Sequence, residues 1–204
     1  MSKNRIGFYT IDTDYCDYLR KFDSKVPYTM DSKQTRPFIG ILLTVNENTY
    51  YAPLSSPKPK HLKMKNQIDF IKINSGKWGA INLNNMIPVH HSLATKVDPN
   101  HLQRTYNIQA YGNLLQNQLT WCNLNKSLII SKAEKLYYSV INNKCKIAQR
   151  CCDFSLLEQK CQEYSIQLSQ TQQPILPNQI PPVPTNGFTQ GKYKPSADFG
   201  GRLF

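Results

Sequence analysis

The sequence predicts an α+β fold, an antiparallel sheet followed by helices, and three observations point there. Short runs rich in Ile, Val, Tyr and Phe alternate with turn residues up to about residue 90, which is the composition of strands joined by short connections. Beyond Asp98-Pro99 the apolar residues recur instead at three- and four-residue steps, the helical period. From Ser169 onward Gln and Pro take over, with prolines at 174, 177, 181, 182, 184 and 195. Strands first and helices second is the α+β order, and the last segment reads as a flexible, Pro/Gln-rich tail. The expected organisation is one domain over residues 1–168 and a tail over 169–204.

The elements follow in order. Strands are predicted at Ile6 to Ile11, Pro37 to Val45, Thr49 to Leu54, Ile68 to Ile73 and Trp78 to Leu83, with a short run from Met86 to Val89. Asn46-Glu47-Asn48 reads as the turn of a hairpin between the second and third. Ile68 and Phe70 alternate with polar Asp69 and Lys72, so one sheet face is solvated or covered by a partner. Between the first two strands, Tyr15, Tyr18, Leu19 and Phe22 fall on one face of a short helix capped by Asp12 or Thr13. Leu102, Tyr106, Ile108, Tyr111, Leu114, Leu115 and Leu119 fit a helix reaching Trp121, and Leu128 to Ile141 a second. Asp153-Phe-Ser155-x-x-Glu158 has the form of a capping box opening a last helix that ends near Leu168.

A chain of 204 residues with 40% hydrophobic and 19% charged residues can build one core and is not disordered throughout. The net charge of +12, from 25 basic against 13 acidic side chains, suits a polyanionic partner, since neutralising phosphates releases counterions; a solvated basic surface is the alternative. Six cysteines, at 16, 122, 145, 151, 152 and 161, lack metal-ligand spacing. They read as reduced thiols of a cytoplasmic protein. The polar start Met-Ser-Lys-Asn-Arg has no apolar signal core, and no run of about 18 apolar residues occurs, so neither secretion nor a membrane span is expected. His90, His91 and His101 stand without a carboxylate or thiolate set, and no metal or cofactor is implied.

The densest chemistry lies in Tyr51-Ala-Pro-Leu-Ser-Ser-Pro-Lys-Pro-Lys-His-Leu-Lys-Met-Lys65, where Ser55 and Ser56 precede a cluster of cations. Prolines 57 and 59 are expected to discourage a helix and to present Lys58, Lys60 and His61 from a constrained loop. Hydroxyls beside cations suit phosphate handling. A structural Ser-Ser-Pro turn before a solvated loop is the plainer reading of the same residues.

Five blocks in order carry a resemblance. They are Gly-Phe-Tyr-Thr-Ile (7–11), Lys-Phe-Asp-Ser-Lys-Val-Pro (21–27), Arg-Pro-Phe-Ile-Gly-Ile (36–41), Ala-Pro-Leu-Ser-Ser-Pro-Lys (52–58) and Ile-Asn-Leu-Asn-Asn-Met-Ile-Pro (81–88), continuing to Asp153-Phe-Ser-Leu-Leu-Glu158. Together they resemble the ToxN/AbiQ family, endoribonuclease toxins of type III toxin–antitoxin and phage abortive-infection systems. The resemblance implies a strongly twisted antiparallel sheet flanked by helices. It implies metal-independent, sequence-selective RNA cleavage at adenine-rich sites that leaves a 2′,3′-cyclic phosphate and a 5′-hydroxyl. It also implies a small pseudoknot antitoxin RNA, cut from a repeated precursor by the toxin and held in a closed protein–RNA assembly, with cellular or phage RNA as substrate.

On that resemblance Ser55 and Ser56 contact the scissile phosphate and Lys58 stabilises the charge that develops on it. Arg36 stands where the family carries a functional lysine, which keeps the charge and changes a point into a planar fork. The family's upstream tyrosine is out of register, with Ser32 in its place and Tyr28 close enough to substitute. His61 has the proton affinity of an acid or base near neutrality, or is a surface residue of a Lys-rich segment. Lys25, Lys60, Lys63, Lys65, Lys72 and Lys77 are the expected RNA-binding cations, with Phe70 and Trp78 interleaved as stacking platforms or as core. Asp23 is placed to pair with Lys25 and fix its loop. A non-catalytic RNA-binding regulator is the alternative, and no helix-turn-helix pattern argues for duplex DNA.

Overall fold

Strand β1 (Gly7–Ile11) runs into helix α1 (Thr13–Arg20), whose N-cap is Asp12, the side chain accepting the Tyr15 N–H at 2.8 Å. The helix buries Tyr15, Cys16 and Leu19. The computed structural model describes residues 6–28, 37–45, 48–98, 109–142 and 146–171, all within one unit, Met1–Thr171. The tail from residue 172, Arg36, His101, Cys145, the start of the helix predicted from Leu102 and turn residues Asn46 and Glu47 lie outside the described residues.

The predicted hairpin is present. β2 (Phe38–Val45) pairs antiparallel with β3 (Asn48–Ser55), Val45 opposite Asn48, with a register shift between Gly40 and Thr44. After β3 the chain departs from expectation, because Pro59 opens a short helix, α2 (Pro59–Lys63). Proline lacks only an N–H that the first helical turn leaves unbonded, so it starts a helix as readily as it breaks one. Lys58, at φ −140 and ψ 145, and Met64, at φ −66 and ψ 147, flank this helix with extended backbone.

Strands β4 (Phe70–Lys72), β5 (Ala80–Asn82) and β6 (Ile87–Val89) are shorter than predicted, since a tight turn at Ile73–Gly76 and a short helical turn at Leu83–Asn85 take their flanking residues. A last strand, β7 (Ala94–Val97), pairs with β1. The sheet runs β4-β5-β3-β2-β1-β7, and β6 also pairs with β3. Since β2 occupies one side of β3, β6 lies against Thr49–Tyr51 and β5 against Leu54–Ser55 in series along the other. Every pairing is antiparallel.

Helices α3 (Gln109–Leu124), α4 (Lys126–Ile141) and α5 (Phe154–Thr171) follow. α4 packs on β2 and α5 on β6 and α1. The core joins Phe8, Phe38, Ile39 and Tyr50 of the sheet to Leu136 of α4 and Phe154 and Leu157 of α5, all fully buried. Each such side chain contributes about 1.5–3 kcal/mol by leaving water.

The predicted capping box does not form. The helix begins two residues earlier, at Phe154, and Asp153 caps it by accepting the Leu156 N–H at 3.1 Å, so Ser155 is already inside. Glu158 turns to the core, where Oε1 accepts the hydroxyls of Tyr50 and Tyr137, each at 2.8 Å. The helix runs to Thr171 rather than ending near Leu168. No helix among the described residues is long and apolar enough to cross a membrane.

Candidate active site

Strand β3 delivers Ser55 to the end of the sheet, half-buried, with its Oγ accepting an N–H from Asn82 of β5 at 2.7 Å. The chain then rises through exposed Ser56 and Lys58 into α2, which carries Lys60 and His61. Beneath this rim lies a cleft of about 320 Å³. Ser55, Lys58, Lys60, His61, Met64 and Lys65 line it from the serine side, and Gln67, Asp69, Phe70, Asn82, Asn84, Asn85 and Arg150 complete it.

Close backbone approach at two glycines builds this end of the sheet. Gly79 has φ +97, and a Cβ there would fall 2.0 Å from the Ser55 carbonyl oxygen and 3.1 Å from the Ser56 carbonyl carbon. Gly76 has φ +93, and a Cβ there would fall 2.6 Å from the carbonyl oxygen of His61. Asn74 and Ser75 share the left-handed region at φ 46 and 55. A turn with this much positive φ is a local strain, of the kind found where a backbone must be held against a functional segment.

His61 is only 2% exposed and stacks obliquely on Phe70 with ring centroids 5.8 Å apart. Among the described residues its Nδ1 is buried without a hydrogen-bond partner. Burial, reinforced by the Lys60 and Lys58 charges, lowers its proton affinity below that of an ordinary histidine. A neutral ring therefore borders the cleft at neutral pH, with one nitrogen able to accept a proton.

The far side is tied down by charge. Arg150 grips Asp69 with two bonds, Nε to Oδ2 at 2.7 Å and Nη2 to Oδ1 at 2.9 Å, and also reaches Gln67 Oε1. Asn84 Nδ2 donates to the Arg150 carbonyl, and Cys152 N–H donates to the Asn84 carbonyl at 2.8 Å. Asn85 Nδ2 donates to the Lys25 carbonyl at 2.7 Å. Asp23, buried, accepts from Lys25 N–H at 2.9 Å and Asp153 N–H at 2.8 Å, and pairs with Lys25 Nζ at 3.5 Å. The expected Asp23–Lys25 pair is thus present, and its carboxylate also anchors the start of α5.

Of the residues singled out in the sequence, Ser55, Lys58, Lys60, His61 and Lys65 meet at the cleft. Ser56 is exposed on its rim, next in the chain to Ser55. Lys25, Lys63, Lys72 and Lys77 do not line it: Lys72 Nζ donates to the Leu62 carbonyl at 3.4 Å, and Lys77 sits exposed on the strained turn. Tyr28 is exposed and lies under the Arg20 guanidinium, 4.7 Å from ring centroid, away from the lining. Arg36 lies outside the described residues. Trp78 is partly buried against the core, and its carbonyl accepts from Gln118. Asn82, Asn84, Asn85 and Arg150 are site residues that the sequence does not single out. The run Asn82-Leu-Asn-Asn85 is visible there as a block, and nothing separates its amides from ordinary turn residues.

A basic, amide-lined cleft beside a hydroxyl pair, at the end of an antiparallel sheet flanked by helices, presents the donor set that suits a phosphodiester. Comparison with known proteins narrows the class of protein. The family described as Toxin ToxN, type III toxin-antitoxin system, matches residues 7–162. Endoribonuclease ToxN of Bacillus thuringiensis subsp. kurstaki is 35% identical over 169 residues, covering 80% of this chain and 86% of that protein. Endoribonuclease ToxN of Pectobacterium atrosepticum is 33% identical over 174 residues, covering 81% and 98%. A solved structure described as a type III toxin–antitoxin system with selective toxin inhibition by a non-coding RNA pseudoknot is similar with TM-score 0.70 and 34% identity, over 79% of this chain and 99% of that one. The structure of AbiQ, a lactococcal anti-phage endoribonuclease of the type III systems, is similar with TM-score 0.68 and 27% identity, over 80% and 99%. The chain belongs to the ToxN family of type III toxin–antitoxin toxins.

Proposed function

We propose that this chain is a sequence-selective endoribonuclease toxin that cleaves RNA without a metal and is inhibited by a small pseudoknot RNA that it also processes. The observation that carries the reading is the convergence of Ser55, Lys58, Lys60, His61 and Lys65 on one cleft, in a chain whose relatives are named endoribonucleases. Support for the RNA partner comes from the pseudoknot inhibition described for one similar structure. The net charge of +12 agrees, since folded RNA is a dense polyanion.

The chemistry is an internal transesterification. The RNA 2′-oxygen forms a bond to phosphorus, the bond from phosphorus to the 5′-oxygen breaks, one proton leaves the 2′-hydroxyl and one reaches the departing 5′-oxygen. The products are a 2′,3′-cyclic phosphate and a 5′-hydroxyl, and no water is consumed. Lys58, at the mouth of α2, and Lys60 neutralise the charge that grows on the phosphate oxygens, which is worth most where water is excluded. Ser55, fixed by Asn82, and Ser56 beside it hold the phosphate in line. Neutral His61 has a free nitrogen for the proton of the 2′-hydroxyl, while Tyr28 and Arg36 remain candidates for the residues that complete the site. Action on cellular or phage RNA places the protein in the cytoplasm, and a closed protein–RNA assembly is the form in which the pseudoknot occludes the cleft.

The test is incubation of wild-type and Ser56→Ala protein with a labelled adenine-rich RNA in EDTA, with product ends identified. Cyclic-phosphate ends from the wild type alone are the expected result. Retained RNA binding without cutting by either protein would replace this reading with a non-catalytic RNA-binding regulator.

A further inference from the structure

Arg150 follows Ser55 by 95 residues in the chain, yet lines the same cleft. Its guanidinium is held on two edges. Nε and one Nη2 hydrogen go to the Asp69 carboxylate and the other Nη2 hydrogen to Gln67 Oε1. Asp69 is 3% exposed and its backbone carbonyl accepts from Leu83 N–H at 2.9 Å and Asn84 N–H at 3.2 Å, so the anchor itself is part of the sheet's end. Among the described residues Nη1 makes no hydrogen bond, and the Arg150 side chain is 51% exposed.

An arginine gripped this way has lost its rotamer freedom before any ligand arrives. An ion pair at a surface contributes little to stability by itself. What the clamp does supply is a planar cation in a fixed orientation, with two N–H groups left over, inside a cleft that already holds Lys58, Lys60 and Lys65. Preorganised arginine donors match phosphate oxygens, and the ordering cost is met on folding rather than on binding.

We propose that Arg150, set in place by Asp69 and Gln67, binds through Nη1 a backbone phosphate of single-stranded RNA next to the phosphate held at Ser55 and Ser56. The proposal rests on the reading that this cleft takes RNA. The Asn84 amide, bonded to the Arg150 carbonyl, couples this interaction to the Asn82–Ser55 bond through the same short turn.

The experiment measures binding of a 2′-O-methyl oligoribonucleotide, which lacks the attacking hydroxyl and is not cut, as a function of salt. The double variant D69N/R150Q removes the guanidinium without leaving a buried carboxylate unpaired, and it keeps the net charge of the protein unchanged. Its binding is expected to be about tenfold weaker, with a log K against log salt slope shallower by about 0.7, the value for one fewer phosphate neutralised on a single strand. Arg150→Lys retains a cation without the fork, and should keep the slope while binding less tightly. A wild-type slope in D69N/R150Q overturns the proposal, as does wild-type protein that fails to bind the oligonucleotide. Should the double variant not fold, single methylphosphonate replacements along the RNA are compared in wild type and Arg150→Lys. One position whose neutralisation costs affinity less in the variant supports the proposal, and equal losses at every position overturn it. Failure of wild type to cut unmodified RNA would refute the nuclease reading and leave this binding result standing on its own.

Discussion

At Gly79 there is room for a hydrogen atom and not for a Cβ, which would fall 2.0 Å from the Ser55 carbonyl oxygen. Gly79→Ala must move the Ser55–Ser56 peptide or the turn, and it also places an L-residue at φ +97, a strain of about 1–2 kcal/mol. We expect RNA cleavage to fall about 100-fold, as misplacement of a phosphate-binding group by about 1 Å does, while thermal unfolding shifts by only a few degrees; activity close to wild type would show that the Ser55–Ser56 peptide need not be so held. His61 makes a second prediction. Its proton affinity is lowered by burial, then by Lys60 and Lys58, from an ordinary value of 6.5. The unfolded chain therefore takes up its proton first as pH falls, so the native state is favoured above 6.5 and loses stability below it. His90, lowered by burial and by His91, acts with the same sign and is unchanged in a His61 variant. Urea unfolding of His61→Gln between pH 7 and pH 5, compared with wild type, should show a flatter acid-side decline; an identical decline would mean that His61 ionises freely in the folded protein.

The elements are legible in proportion to how much of their information is local. The hairpin of β2 and β3, α1 and its Asp12 cap, and α4 follow from composition, period and capping chemistry that a short window contains. β7 escapes such a window, because Ala94-Thr-Lys-Val97 is an edge strand with exposed Thr95 and Lys96 and no apolar alternation. α2 escapes when proline is weighed as a breaker and not as an opening residue. Glu158 misleads because a carboxylate three residues beyond a serine has the form of a cap, whereas here two buried tyrosines claim it. Burial, and next the Glu158 carboxylate, push the Tyr50 hydroxyl far above its usual range, so it stays a donor. Glu158→Ala leaves both hydroxyls without their acceptor and should cost about 3 kcal/mol in urea unfolding, with Glu158→Gln losing much less. Equal losses for the two would show that the negative charge, rather than an acceptor oxygen, holds β3, α4 and α5 together.

For the whole molecule, charge is the most legible property and the cleft's closing wall the least. A surplus of 12 positive charges is a sum over the sequence, whereas the meeting of Asp69 with Arg150, or of Asp23 with the Asp153 N–H, depends on the complete fold. Ser55, Lys58 and His61 stand out because they are neighbours in the chain; Arg150 becomes visible only when α4 and the turn after it have brought it back. Affinity for RNA should fall steeply as salt rises. A salt-insensitive affinity, measured between about 50 and 200 mM salt, would mean that the lysines around the cleft do not meet phosphates.

Because most of the cleft is written early and the arginine that closes it late, this fold also bears on when during synthesis it can act. A ribosome extends its chain at about 5–20 residues per second, and throughout the making of the serine segment, α3 and α4 the nascent polypeptide has no Arg150 to meet Asp69 and no Asp153 to meet Asp23. We expect a toxin assembled in that order to stay inert toward the messenger from which it is being read until its last helix, which supplies Phe154 and Leu157 to the core, is completed. Chains ending at residue 149 should accordingly be harmless to the cell that makes them, and growth arrest by such a truncation would show that the rim alone suffices.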